Sequence, residues 1–179
     1  MNEETKELDN DGLGPCLALY HPNARYTGSA LRMWLHPAVA GQDGCISLKI
    51  AEQDGSHDRF DWAHALYAQL KAVDLAKLIM VFQGWIEATR DDVFGDNRIT
   101  VSMPSCVITV DLRHQVDPSP RYVLTLISHP LGQMSCSQRQ ITLLHAEALA
   151  ISEAIRGAMS RVAFGDTLVM CGIDYGKEA

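Results

Sequence analysis

The sequence lacks any apolar run approaching the roughly 18 residues that a membrane-spanning helix needs. Its 179 residues are 47% hydrophobic and 21% charged, which is ordinary for a globular domain that buries one core. The opening MNEETKELDNDG has neither the basic and apolar profile of a secretory signal nor the Arg-rich pattern of a transit peptide. We therefore expect one cytoplasmic domain with no membrane partner.

Cysteine and histidine are too scattered to indicate a disulfide framework or a metal site. The five cysteines are never spaced as CxxC, and no two of the seven histidines have the spacing of HExxH. We expect reduced thiols and predict neither a metal nor a cofactor.

Catalytic signatures are also missing, since the chain contains no P-loop, nucleophile elbow or glycine-rich dinucleotide fingerprint. The best acid–base candidates are two pairs, Asp91 with Asp92 and His64 with nearby Asp61. A surface or turn role suits both pairs better than catalysis does. We predict that the protein is not an enzyme.

Charge is distributed unevenly along the chain, whose formal net charge is −7. Residues 1–11 hold five acids and one lysine, and residues 165–179 hold three acids and one lysine, so the body between them is almost neutral. Binding of nucleic acid requires local lysine and arginine, and a near-neutral body is compatible with a local basic stripe. We predict three regions: an acidic flexible tail over 1–12, a single domain over 13–165 and a C-terminal extension over 166–179.

Two segments have the periodicity of amphipathic helices. In DLAKLIMVFQG, Asp74 can cap the first turn and Gly84 can end the helix. A longer helix is predicted over 144–164, with Gly165 after it. Its apolar stripe comprises Ala148, Ile151, Ile155, Ala158, Met159 and Val162.

Alternating segments precede each helix and predict strands. They are ALRMWLH, CISLKIA and YAQLK in the first half, then VSMPSCVITVDLRH and RYVLTLISH joined by the turn-rich QVDPSP, and finally RQITLL. The order of strands followed by a helix occurs twice, over 17–84 and 86–165, with about four strands each time. The sequence therefore predicts an α+β fold with two antiparallel sheets of about four strands, one short helix and one long helix.

Four stretches, taken in order over residues 26–165, resemble the Whirly family of single-stranded DNA-binding proteins. They are YTGSALRMWLHP, GCISLKIAEQ, RFDWAHALYAQLKAVDLAKLIMVFQG and ITLLHAEALAISEAIRGAMSRVAFG. The fold of this family also resembles the kinetoplastid mitochondrial guide-RNA-binding proteins and a positive-cofactor transcription coactivator. The resemblance implies a ββββα unit repeated twice and binding of single-stranded DNA, or of RNA, with little sequence specificity.

The chain departs from the family pattern at the entry to the first matching strand. Family members have a Lys-x-Gly-Lys entry, whereas YTGSAL places Thr27 and Ser29 where the lysines would lie. The difference puts the affinity, the strand preference and the higher-order assembly in question. The absence of a plant-type presequence suggests a bacterial relative, carried on a mobile genetic element.

The polar faces of the predicted strands supply cations and aromatic rings, which together hold single strands without reading their sequence. In an antiparallel sheet these side chains can share one surface, with two aromatics flanking it at the FDW turn. The candidate nucleic-acid-binding residues are Arg32, Trp34, Lys49, Phe60, Trp62, Tyr67 and Lys71.

Each candidate also has an ordinary structural interpretation. Trp62 fits a buried corner aromatic with a satisfied indole N–H somewhat better than a base platform, and single lysines or arginines are commonly solvated face charges. Tyr122, with its neighbour Arg121, fits an ordinary strand end better than an extension of the surface. Asp61 and Asp111 would repel phosphate.

The closing helix carries the second class of function. Its small residues permit close helix approach and favour self-association; they are Ala146, Ala148, Ala150, Ala154, Gly157 and Ala158. In the resembled family such helices lie at the centre of a homotetramer. The alternative function is thus a homo-oligomeric scaffold that binds another protein through its acidic tail. Duplex binding ranks third, because no helix clusters arginine or lysine.

Overall fold

The computed structural model describes residues 17–39, 41–56, 59–83, 98–103, 106–113, 121–128 and 136–164. The predicted tail over 1–12 and the extension over 166–179 lie outside these ranges. The elements in the first half are β1 (Leu17–His21), β2 (Ser29–His36), β3 (Cys45–Glu52), β4 (Leu66–Leu70) and α1 (Ala72–Phe82). Those in the second half are β5 (Arg98–Met103), β6 (Cys106–Arg113), β7 (Arg121–Ser128), β8 (Ser137–Leu144) and α2 (His145–Phe164).

The strands form two four-stranded antiparallel sheets, in the orders β1-β2-β3-β4 and β5-β6-β7-β8. Each strand pairs with its neighbour in the chain, so the sheets are simple meanders. The predicted α+β fold with ββββα repeated twice is confirmed.

The long run VSMPSCVITVDLRH is two strands, not one. β5 and β6 pair with each other, and their last partners are Met103 and Cys106. Pro104 lies between them in the sequence, and because proline has no N–H to donate to a sheet ladder, the sequence itself favours a division of the run at this point.

The short helix begins earlier than its sequence pattern indicates. Its N-cap is Lys71, whose side chain forms no capping hydrogen bond, so the predicted cap at Asp74 is wrong. Asp74 instead lies in the first turn, where a carboxylate interacts favourably with the helix dipole. Gln83 ends the helix, with its N–H bonded to the carbonyl of Ile79 at 3.0 Å, and Gly84 lies outside the described residues.

One hydrophobic core joins both sheets and both helices. Phe82 of α1 is fully buried and packs edge-on against Tyr122 of β7, with ring centroids 5.5 Å apart. The stripe predicted for α2 is buried apart from Met159, which is partly buried. Among the residues placed by the structure, no helix combines the length and apolar character needed to cross a membrane.

Tyr122 is a core residue and not part of a surface. It is 4% exposed, and its hydroxyl lies 3.3 Å from Nδ1 of His145. Burial raises the pKa of Tyr122 above its usual 10.0, because the tyrosinate form loses solvation in the core.

A raised pKa in the folded state predicts a loss of stability in alkali. The contribution of Tyr122 to the free energy of unfolding is fully present below pH 10. It falls as the pH rises through the pKa of Tyr122 in the folded state, because this tyrosine loses its proton at a lower pH in the unfolded chain. We expect Tyr122→Phe to flatten the decline in unfolding free energy above pH 10, measured by urea titration at several pH values. Equal slopes in the two proteins would contradict this.

The turn between β1 and β2 is held by the side chain of Gln53, which is 8% exposed. Its Oε1 accepts hydrogen bonds from the backbone N–H of Asn23 at 3.0 Å and of Gly28 at 2.7 Å. A Cβ at Gly28 would collide with the backbone carbonyl oxygen of His21 and lie 2.9 Å from Cα of Pro22. Only glycine therefore fits at this position of the YTG entry.

Two glycine substitutions are expected to have opposite effects on stability. Gly28→Ala should lower the free energy of unfolding by about 1–3 kcal/mol, because the backbone atoms it meets cannot move aside cheaply. Gly157→Ala should raise it by about 0.5–1 kcal/mol, because Gly157 is helical, exposed and has open space around it. Urea denaturation of both variants tests the pair; a neutral Gly28→Ala would refute the steric argument.

Candidate nucleic-acid interface

The first sheet has one face in the core and one face turned away from it. Strand alternation buries Leu31 and Met33 of β2 on the core side and places Arg32 and Trp34 on the other. We call the second surface the outer face. Its aromatic, charged and hydrogen-bonding members are Tyr20 on β1, Arg32, Trp34 and His36 on β2, Ser47 and Lys49 on β3, and Tyr67 and Gln69 on β4.

Strand register brings three of the predicted residues into one row. Arg32 lies opposite Lys49 across β2 and β3, and Lys49 lies opposite Tyr67 across β3 and β4. Directly opposed residues in antiparallel strands have Cβ atoms about 5 Å apart. Two cations and one ring therefore cross the middle of the outer face in a line.

Arg32 lies among aromatic rings. Its guanidinium carbon is 4.0 Å from the ring centroid of Trp62 and 5.8 Å from that of Tyr20. Its Nε donates a hydrogen bond to the Tyr20 hydroxyl at 3.0 Å. The guanidinium thus contacts a ring face and a phenol oxygen together, which are the two contacts that its planar shape favours.

The FDW stretch closes this arrangement by turning back along β3. Phe60 forms a bridge with Gln53, and the N–H of Asp61 donates to the carbonyl of Glu52 at 2.8 Å. Phe60 and Trp62 then pack with Tyr20, with centroid distances of 5.7, 6.4 and 6.5 Å among the three rings. We call these three residues the aromatic cluster.

Trp34 is 5% exposed, so its ring offers little open surface for base stacking. The ammonium group of Lys49 lies 5.2 Å from the Trp34 ring centroid, a cation–π geometry. The indole Nε1 is buried and has no hydrogen-bond partner among the described residues. Trp34 therefore packs beneath the ammonium group of Lys49 and does not form the base-stacking surface that the sequence predicts.

The far end of the outer face is polar. The Ser47 hydroxyl lies 2.6 Å from Nε2 of His36 and 3.5 Å from the hydroxyl of Tyr67. Tyr67 itself is 47% exposed. Lys71 is less available than predicted, because its ammonium forms an exposed ion pair with Asp43 at 3.1 Å.

An acidic residue stands beside the aromatic cluster. Asp61 accepts hydrogen bonds from the backbone N–H of His64 at 3.1 Å, and its other carboxylate oxygen lies 2.8 Å from the His64 ring. The hydrogen bond with the His64 side chain is the main cause that lowers the pKa of Asp61, so the carboxylate stays ionised. Its charge disfavours phosphate at this end of the sheet.

The sequence prediction missed Tyr20, which the structure adds to the site. Tyr20 is 47% exposed and contacts Arg32, Phe60 and Trp62. Its signal was the short alternating segment LALYH, in which Tyr20 has the opposite orientation to Leu19. Within the described residues, no three histidine, cysteine or acidic side chains are grouped closely enough to hold a metal ion.

Comparison with other proteins places this architecture in a known structural class. No protein-family model matches the chain, and no curated protein matches it. A guide-RNA-binding protein complex bound to a guide RNA matches with a TM-score of 0.57 and 17% identity, over 84% of this chain and 93% of that chain. MRP1/MRP2 of Trypanosoma brucei match with a TM-score of 0.55 and 15% identity, over 80% and 83% of the two chains.

The plant structures agree with this class. WHY1 from Arabidopsis thaliana matches with a TM-score of 0.52 and 11% identity, over 91% of this chain and 97% of that chain. The chain therefore has a Whirly-like fold, shared with the guide-RNA-binding proteins.

Proposed function

We propose that the protein binds single-stranded nucleic acid, DNA in particular, on the outer face of its first sheet. The main observation in support of this proposal is that two half-exposed rings, Tyr20 and Tyr67, lie on either side of Arg32 and Lys49. Support comes from the similar guide-RNA-binding complex, whose structure contains a guide RNA, and from the resemblance of the sequence to single-stranded DNA-binding proteins.

Stacking is the main source of affinity in this proposal. Each base on an aromatic ring contributes about 1–3 kcal/mol, and every base has a flat face, so the contact is tolerant of sequence. Tyr20 and Tyr67 lie on the two edge strands, β1 and β4, separated by three inter-strand spacings of about 4.8 Å each. The two rings therefore hold different nucleotides of one strand.

Charge is the smaller contribution. The outer face carries two central cations, Arg32 and Lys49, while Lys71 is paired with Asp43. Each phosphate neutralised on a single strand adds about −0.7 to the slope of log affinity against log salt. The slope per protomer therefore has a limit of about −1.4, which is reached only if each of the two cations neutralises one phosphate.

We further propose that the protein acts as a homotetramer assembled through α2. Ala146 and Ala150 are exposed along this helix, and Leu149 is 37% exposed. Small side chains permit close packing of helices. Several outer faces in one assembly would bind a long strand more tightly than one face alone.

Fluorescence anisotropy with a labelled oligo-dT of about 30 nucleotides tests the proposed function. We expect the affinity to weaken gradually with salt and duplex DNA to compete poorly. If DNA is preferred, binding should also persist when single-stranded RNA is the competitor. Failure to bind at low salt would overturn the proposal. The scaffold function would then be tested by capture of partners with and without residues 1–12.

A further inference from the structure

We infer that Arg32 is a positioning residue that holds Tyr20 ready for base stacking, and that Lys49 is the cation that contacts phosphate on the outer face. The inference rests on the proposed function and assigns different roles to two neighbouring cations. The assignment follows from what each cation already contacts.

The guanidinium of Arg32 already forms two contacts within the protein. Its face covers the Trp62 ring at 4.0 Å, and its Nε–H is donated to the Tyr20 hydroxyl at 3.0 Å. An arginine that binds an oxyanion side-on donates two parallel N–H groups, one of which is the Nε–H. Binding phosphate in that way would release Tyr20.

Tyr20 gains a fixed orientation from these contacts. It lies on the edge strand β1 and is 47% exposed, so about half of the side chain still faces solvent. Phe60 and Trp62 pack against it, and Arg32 holds the hydroxyl at its far end. Because the ring has already lost its rotamer freedom, stacking a base on it costs little further side-chain entropy.

Lys49 is placed differently. It lies in the middle row, directly opposite Arg32 on one side and Tyr67 on the other. In the part of the chain that the structure describes, no carboxylate is within ion-pairing distance of its ammonium, whose recorded contact is the Trp34 ring at 5.2 Å. An ammonium is a compact charge with three rotatable donors, and it suits a phosphate lying between two stacked bases.

The test measures oligo-dT affinity across a salt series for the full chain and its variants. Arg32→Met should weaken binding about tenfold at every salt concentration and leave the salt slope unchanged, because the loss is one of stacking. Lys49→Met should make the slope shallower by about 0.7. The double variant Arg32→Met with Tyr20→Leu should bind within about twofold of Tyr20→Leu alone, because Arg32 acts through Tyr20.

Two conservative variants control for the loss of binding that misfolding would cause. Tyr20→Phe keeps the ring and the arginine but removes the oxygen that accepts the hydrogen bond, so it should weaken binding with the slope unchanged. Arg32→Lys keeps the charge but not the planar contact with Trp62, and it should bind as weakly as Arg32→Met. Thermal unfolding curves confirm that each variant is folded.

Three outcomes overturn the inference. A slope made shallower by about 0.7 in Arg32→Met and restored in Arg32→Lys would make Arg32 a phosphate contact. Additive losses in the double variant would show that Arg32 does not act through Tyr20. If the unmodified chain fails to bind any single strand, the proposed function is overturned together with the inference. If the unmodified chain binds and only the variants behave differently from expectation, the inference alone is overturned.

Discussion

Replacing Tyr20 and Tyr67 together with leucine is expected to weaken binding of single-stranded DNA by about a hundredfold or more. Each ring is 47% exposed on the outer face, and each stacked base contributes about 1–3 kcal/mol, so the loss of both removes two such contributions. Anisotropy with oligo-dT at constant salt measures the effect. Leucine keeps apolar bulk at both positions, so the sheet should remain folded.

Tyr26 provides a matched control for this double variant. Its ring is also 47% exposed, but it lies on the turn between β1 and β2 with a φ of 56° and not on the outer face. Asparagine tolerates a positive φ, so Tyr26→Asn removes an equally exposed ring with little strain. We expect its affinity to stay within about twofold of the unmodified chain. Equal losses in the control and the double variant would contradict the assigned interface.

Phe82→Ala is expected to lower the free energy of unfolding by about 3–5 kcal/mol. Phe82 is fully buried, and its ring contacts Tyr122 edge-on at 5.5 Å, which joins α1 to the second sheet. Removal of the ring forfeits buried apolar area, leaves a cavity and loses the aromatic contact. A domain has only about 5–15 kcal/mol of stability in total, so the effect should be large in urea denaturation.

Val73→Ala on the same helix is the control for the core substitution. Val73 is 69% exposed, and its truncation should change the unfolding free energy by no more than about 0.5 kcal/mol. A loss of less than about 1 kcal/mol in Phe82→Ala would show that the two halves do not share the core described. The same two variants also separate stability from binding, because neither residue lies on the outer face.

The strand and helix pattern was accessible from the sequence wherever a local period dominates. ALRMWLH and CISLKIA alternate strictly, and their apolar members are the ones buried in β2 and β3. The stripe of α2 recurs at helical spacing and is buried as predicted. The start of α1 was misjudged, because Asp74 has the chemistry of a cap while the backbone enters the helix at Lys71.

The site was predictable in part. Alternation placed Arg32, Lys49 and Tyr67 on polar strand faces, and pairing in the expected order brought them into one row. Tyr20 was missed because β1 is only five residues long. Trp34 was expected on an open surface, yet it is 5% exposed.

The sequence by itself determined the order of the elements, the antiparallel sheets and the face on which each strand residue lies, because these depend on periods of two and 3.6 residues. Tertiary structure decided which side chains meet. Arg32 contacts Tyr20 from the preceding strand and Trp62 from the turn after β3, and those contacts require the strand register and the fold-back of FDW together. Local periodicity carries no information about such long-range contacts, which is why the contacts that join Arg32 to Tyr20 and Trp62 were visible only in the folded chain.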